Sequence, residues 1–297
     1  MAQLRIGTCS WKYPSWQNLI YSAPKGINFL EEYAKRYQTV EIDQWFWSLF
    51  EGHPPKHPNR KDVVEYGQSV SNDFRFSIKV PNSITLTHYY KKRKIDPLIP
   101  NPHFLSKDLW QEFIARIDPL RDRLGPLILQ FEYLNKEKMK SQSDFHARVG
   151  RFFNEIFPIE NLAVETRNPR YLNSGFFDFL KQRQLTPVLM HGYWMPSIVE
   201  VYHKWRDKII FHETVVVRLH GPNRAGMEKH TGKRWDRIIT PMDDELKKIA
   251  GIVNDLVDNG VNVYLNVNNH YEGSAPLTIE RLSNLLTVPT MAQISRP

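Results

Sequence analysis

Val215-Val216-Val217-Arg218-Leu219-His220-Gly221 decides the reading of this chain. Its first residues are β-branched and apolar, the pattern of a strand buried on both faces rather than one alternating toward water. The stretch then leaves through an arginine, a histidine and a glycine, which no buried strand requires. The same change from apolar run to polar exit recurs along the sequence, and it marks one edge of a parallel sheet as the chemical edge.

Working outward, further strands are expected at Leu4–Cys9, Thr39–Asp43, Phe74–Val80, Leu127–Phe131, Leu162–Arg167, Thr186–His191 and Val261–Val267. Gly125-Pro126 reads as punctuation before the fourth. Helical spacing follows each strand: Asn28 as a cap for a helix to Tyr37, then Lys61–Val70, Lys107–Arg123 with Pro119 distorting its end, Ser141–Phe157, Ser174–Gln184, Pro196–Trp205, Asp243–Asp258 and Leu277–Leu286. A long insertion, 82–106, follows the third strand, and a Gly- and Arg-rich loop runs from His220 to Arg237. Strands alternating with helices mean a parallel sheet. Eight such units in 297 residues, with no composition break for a linker, predict a single (β/α)8 TIM-barrel domain over residues 1–297. A doubly wound sheet is the alternative, but the glycine fingerprint of a dinucleotide fold is missing after the first strand.

The formal net charge of +8 favours an anionic partner, either a small phosphorylated molecule or nucleic acid. Cys9 is the single cysteine, so no internal disulfide and no thiolate cage can form. The N-terminus lacks the pattern of a secretory signal, and no apolar run approaches the roughly 20 residues of a membrane span. A cytoplasmic protein is expected, and nothing in the sequence sets its oligomeric state.

In a TIM barrel the site lies at the C-terminal strand ends. Those ends carry Ser10 and Trp11, Glu41 and Asp43, Lys79, Gln130, Glu165 and Arg167, His191, Arg218 and His220, then Asn266, Asn268 and Asn269. Each taken alone has a structural reading, as a salt bridge, a core histidine or a turn residue. Together they are costly to bury unless paired or used. Lys79, Arg167 and Arg218 suit an anion. Glu165 or Glu41 could act as general base and His220 as general acid or base, so Glu165, His220, Glu41 and Lys79 form the catalytic set. Trp11, Tyr13, Trp16, Trp45 and Trp47 could stack on a base or sugar ring, or roof the barrel. His88, beside Tyr89-Tyr90 and the run Lys91-Lys92-Arg93-Lys94, could grip a phosphate backbone. With Asp43, Gln130 and Asn268 these complete the ligand-binding set. No metal ligand is assigned: carboxylates and histidines converge, but cations share the rim and no local ligand pair such as HExxH exists. The cofactor stays unknown.

Several stretches together resemble the family called domain of unknown function 72, the YecE-like proteins. They are Gly7-Thr8-Cys9-Ser10-Trp11 with Tyr13 and Trp16, Val40-Glu41-Ile42-Asp43, Lys79 with Thr87-His88, Leu124-Gly125-Pro126, Gln130-Phe131, Ala163-Val164-Glu165-Thr166-Arg167, Arg218-Leu219-His220-Gly221 and Asn268-Asn269. The resemblance implies a TIM barrel with a cleft at these positions, and no activity. Cys9-Ser10 stand where the family commonly has Ser-Gly, and Asp43-Gln44-Trp45-Phe46-Trp47 where Asn then Thr-Phe-Tyr is common, which adds a carboxylate and bulk to the mouth.

Three functions are open at this level. One is an enzyme on a phosphorylated or nucleic-acid ligand, in the manner of a phosphodiesterase or nuclease. The second is a metal-free hydrolase or lyase on a sugar-like ligand, using Glu41 and Glu165 as a carboxylate pair. The third is a non-catalytic binder of an anionic ligand or single-stranded nucleic acid.

Overall fold

The computed structural model describes residues 2–91, 93, 95–156 and 160–288. In chain order its elements are β1 (Leu4–Cys9), α1 (Phe29–Ala34), β2 (Thr39–Ile42), α2 (Arg60–Gln68), β3 (Arg75–Lys79), α3 (Asn82–Thr85), α4 (Lys107–Ile117), β4 (Leu124–Phe131), α5 (Gln142–Glu155), β5 (Leu162–Thr166), α6 (Ser174–Gln182), β6 (Thr186–His191), α7 (Ile198–Ile209), β7 (Thr214–Leu219), α8 (Arg224–Thr231), α9 (Asp243–Asp258), β8 (Asn262–Val267) and α10 (Ala275–Ser283). The strands pair in sequence order, all parallel, and β1 closes on β8. The expected eight-stranded barrel is what forms. No helix of the described residues is long and apolar enough to cross a membrane.

The buried strand is as the opening stretch required: every residue of β7 is buried. Its outer face packs under helices whose apolar stripes lie inward, as α9 does with Leu246, Ile249, Val253 and Leu256. Burying each such side chain contributes about 1.5–3 kcal/mol. Caps set several starts. The Asn28 side chain accepts from the Leu30 and Glu31 N–H groups, and Ser141 accepts from Asp144.

Several element ends shift by a few residues, and three further features differ from expectation. Gly125-Pro126 does not punctuate but lies inside β4, where the proline cannot donate to the ladder and the β3–β4 register shifts between Phe76 and Ile78. The helix expected to reach Arg123 ends at Ile117 and continues as a 3-10 turn through Pro119. The loop His220–Arg237 contains α8. Within the insertion 82–106, α3 packs in the core and His88 bridges to Pro100, while Lys92 and Lys94 of its basic run lie outside the described residues, as does Phe157 at the end of the expected fifth helix.

Closure of the barrel has a strict point at Gly7. A Cβ there would stand 2.0 Å from the Thr39 carbonyl oxygen on β2. Gly7→Ala must push β1 and β2 apart, and we expect it to cost about 3 kcal/mol, the upper range for overpacking. Urea unfolding reads this as a lower midpoint at unchanged slope. A variant as stable as the parent would show that the two strands do not approach so closely.

Candidate active site at the C-terminal mouth

Side chains alternate along a strand, so position parity decides what enters the barrel. Ile128, Ala163, Val188, Val216 and Tyr264 form one small apolar cluster drawn from β4 to β8, the barrel's interior filling. Two residues further along the same strands stand Gln130, Glu165, Met190, Arg218 and Asn266. Glu41 from β2 joins them through hydrogen bonds. The interior is therefore apolar in its middle and charged at its C-terminal layer.

Arg218 is the centre of that layer and is wholly buried. Its Nε donates to Glu41 Oε2 at 2.8 Å and its second terminal nitrogen to Glu41 Oε1. Its first terminal nitrogen donates to Glu165 Oε2 and, at 3.4 Å, to Gln130. Asn266 donates a further bond to Glu41 at 3.2 Å. Arg167 Nε donates to the other Glu165 oxygen at 2.6 Å, and Arg167 also donates to Gln130 at 3.1 Å. Each carboxylate is thus held by arginine. Burial pushes the Glu165 carboxyl up, but Arg167, Arg218 and Lys79 outweigh it and bring it down to about 2.

Lys79 differs from the arginines. It is 8% exposed, and its Nζ stands 3.8 Å from the centroid of the Phe46 ring. Among the described residues no carboxylate lies within ion-pair distance of it. Burial and then Arg218 pull its amine down to about 8, against the attraction of Glu41, Asp43 and Glu165. Burial likewise raises the neighbouring Asp43 carboxyl, with Lys79 opposing.

His220 sits where the chain leaves β7. Burial, then Arg218, Arg167 and Lys79, hold its imidazole well below its usual range, so it is neutral. Its Nε2 lies 4.0 Å from Cys9 Sγ. The Cys9 thiol is pushed up, first by burial and then by Glu41. Ser10, the next residue, adopts φ 84°, a region that favours glycine, and its N–H donates to the Glu41 carbonyl at 3.0 Å. Gly221 is needed for contact between neighbouring loops: its φ is 79°, and a Cβ would meet the His270 carbonyl at 2.2 Å.

Cys9, Glu41 and His220 each offer a ligand atom, and the three lie within 4.8 Å of one another. The donor set fits a guanidinium better than a metal. Both Glu41 oxygens accept from Arg218, and an ion would have to displace that bond between Arg218 and Lys79.

The remaining expected residues scatter. His191 points out of the barrel to Glu245 on α9, at 3.0 Å, and takes no part in the mouth. Trp11 is buried edge-on against Tyr66, and Trp16 and Trp45 are buried as well, so these three roof the barrel. Tyr13 comes within 3.5 Å of the Cys9 carbonyl, and burial and Asp43 keep its phenol protonated. His88 lies 3.0 Å from Thr87, whose hydroxyl donates to Glu132. Asn268 accepts from the His270 N–H at 3.0 Å and so shapes the last loop.

The exposed rings at the rim are Trp47, Tyr90, Tyr133 and Trp194. Trp47 and Tyr90 touch, with centroids 5.7 Å apart. Tyr193 places its ring 5.2 Å from the Arg167 guanidinium. Met190, Tyr193 and Trp194 are not among the expected mouth residues. The run Gly192-Tyr193-Trp194 after a strand end repeats the aromatic exits of β1 and β2, and that signal could have found the last two.

A family profile described as a protein of unknown function, DUF72, matches residues 5–296. The UPF0759 protein YecE of Escherichia coli (strain K12) is 28% identical over 174 residues, which are 57% of this chain and 50% of that protein. The chain thus spans about half the length of the curated relatives it matches. Crystal structures of DUF72 family proteins from Enterococcus faecalis V583 and Thermotoga maritima MSB8 superpose with TM-scores of 0.68 and 0.66. The first is 19% identical and covers 97% of both chains; the second is 20% identical and covers 95% of this chain and 98% of that one. At such identities the likeness concerns the fold.

Proposed function

This chain belongs to the DUF72 family, whose description carries no activity, and from the mouth geometry we propose an enzyme acting on a phosphorylated ligand, nucleotides and nucleic-acid strands included. The observation that carries this is a pair of cations with donors to spare. Lys79 makes no ion pair among the described residues, and Arg167, with its side chain 11% exposed, keeps one terminal nitrogen outside the bonds given above. Arg218 serves from beneath by holding Glu41 and Glu165 in place. Trp47, Tyr90 and Trp194 offer faces on which a base can stack. Neutral His220 can accept a hydrogen bond, and Lys79 can deliver a proton near neutral pH.

The carboxylate-pair reading for a sugar-like ligand is less well supported. A guanidinium stands between Glu41 and Glu165, in the space where a glycosidic carbon would have to sit. Calorimetric titration with inorganic phosphate, a nucleoside monophosphate and a short single-stranded oligonucleotide tests the proposal. We expect binding that weakens with salt and falls about 10- to 100-fold in Arg167→Ala, as for one charge-assisted contact. Equal affinity for a neutral analogue would end the phosphate reading. Binding without turnover of any of the three would favour a non-catalytic binder.

A further inference from the structure

Lys79 is placed to do more than hold an anion. A lysine that serves as a cation is best kept charged, by solvent or by a carboxylate. Lys79 has little solvent and, among the described residues, no carboxylate within ion-pair distance: it is nearly buried, its Nζ lies over an aromatic face, and Arg218 opposes the pull of Glu41, Asp43 and Glu165. An amine desolvated next to another cation is the arrangement that activates lysine as a nucleophile. We infer that Lys79 is a covalent nucleophile whose amine condenses with an aldehyde or ketone to form a protein-bound imine. Only the further statement that this carbonyl compound carries an anionic group rests on the phosphate reading above.

The surroundings supply what the step needs. With its amine at about 8, roughly a quarter of Lys79 is unprotonated at pH 7.5, against on the order of a thousandth for a surface lysine. The neutral amine attacks the carbonyl carbon. The new N–C bond forms as the C=O π pair moves to oxygen, and one proton passes from the nitrogen to that oxygen to give a carbinolamine. The nitrogen lone pair then forms the C=N bond as the C–O bond breaks, the second amine proton passes to the departing hydroxyl, and water leaves, so amine plus carbonyl gives imine plus water, with no oxidant or reductant. Asp43, whose carboxyl burial raises toward protonation, can pass these protons. The charged groups facing Lys79 are Glu41 and Asp43 on the β2 side, Glu165 on β5 and Arg218 on β7. Arg167, with Tyr193 behind it, would hold the phosphate or carboxylate of the carbonyl compound.

Reductive trapping tests the inference on the intact protein. It is incubated with sodium cyanoborohydride and either propionaldehyde, which is neutral, or pyridoxal 5′-phosphate, and the label is mapped by peptide mass spectrometry. Lys79 is expected to label at least tenfold faster than any other lysine at pH 7.5, with a rate rising through about pH 8. Lys79→Arg, which keeps the charge, is expected to lose that fast label while its thermal unfolding stays close to the parent's. Label spread over exposed lysines with Lys79 untouched overturns the inference, and the parent protein alone suffices to show it. The two readings fail separately. Fast labelling by propionaldehyde with no advantage for the phosphorylated probe keeps the imine and removes the phosphate. Phosphate binding that depends on Arg167, with Lys79 unlabelled by either probe, does the reverse.

Discussion

Arg218→Ala is expected to lower unfolding free energy by about 3–5 kcal/mol, the range for breaking a buried ion pair by removing one partner. The reason is electrostatic more than volumetric. Arg218 donates to both oxygens of Glu41 and to one of Glu165, and all three side chains are inaccessible to solvent. Without it Glu41 keeps only the Asn266 amide as a hydrogen-bond donor, and its buried carboxylate has no cation within ion-pair distance among the described residues. In a protein with a total stability of about 5–15 kcal/mol such a loss is large. Urea unfolding at pH 7 measures it.

The parent itself loses stability in acid. Glu165 falls on folding from an ordinary 4.5 to about 2, so its contribution is full above pH 4.5 and is lost as the pH drops through about 2. A control separates charge from packing. Glu41→Gln with Arg218→Met, neutral and of similar volume, should recover much of the lost stability. A loss within 1 kcal/mol in Arg218→Ala would mean that the ion network does not hold the mouth together.

The strands and their polar exits are legible in the sequence because each strand is a short apolar run with a chemical break after it. Parity within those strands is not. A strand buried on both faces is apolar on both sides, so nothing tells which residues enter the barrel. That is why His191 was expected at the mouth although it points to Glu245, while Met190 beside it takes the interior position. The direction of Cys9, which faces His220, is likewise hidden in the sequence. The division of labour among the cations was equally hidden. Lys79, Arg167 and Arg218 are three similar charges in sequence, and only the carboxylate positions show that one is saturated, one half free and one unpaired. The tryptophans divide by burial: Trp11, Trp16 and Trp45 close the barrel, and Trp47 reaches the rim.

Lys79→Met should stabilise the protein at pH 7 by about 2–3 kcal/mol while abolishing binding of the anionic ligand. The lysine's amine drops from 10.5 to about 8 on folding, so its protonated form is disfavoured in the native state. Between those values the unfolded chain binds more protons than the folded one, and stability rises with pH. Below pH 8 the parent carries the full penalty; above 10.5 the amine is neutral in both states and the penalty is gone. Methionine has a similar length and no charge, and it packs well against an aromatic ring such as Phe46. The difference between variant and parent should therefore be largest at neutral pH and shrink steadily from pH 8 to pH 10.5. Comparing the two proteins at each pH cancels the tyrosines that titrate in the same window. Stability given up at a residue that ligand binding requires is what selection for a reactive site leaves behind. A variant that is less stable than the parent at pH 7, or a difference that does not change with pH, would mean that Lys79 is held charged by partners after all, and its place as the reactive group of this mouth would go with it.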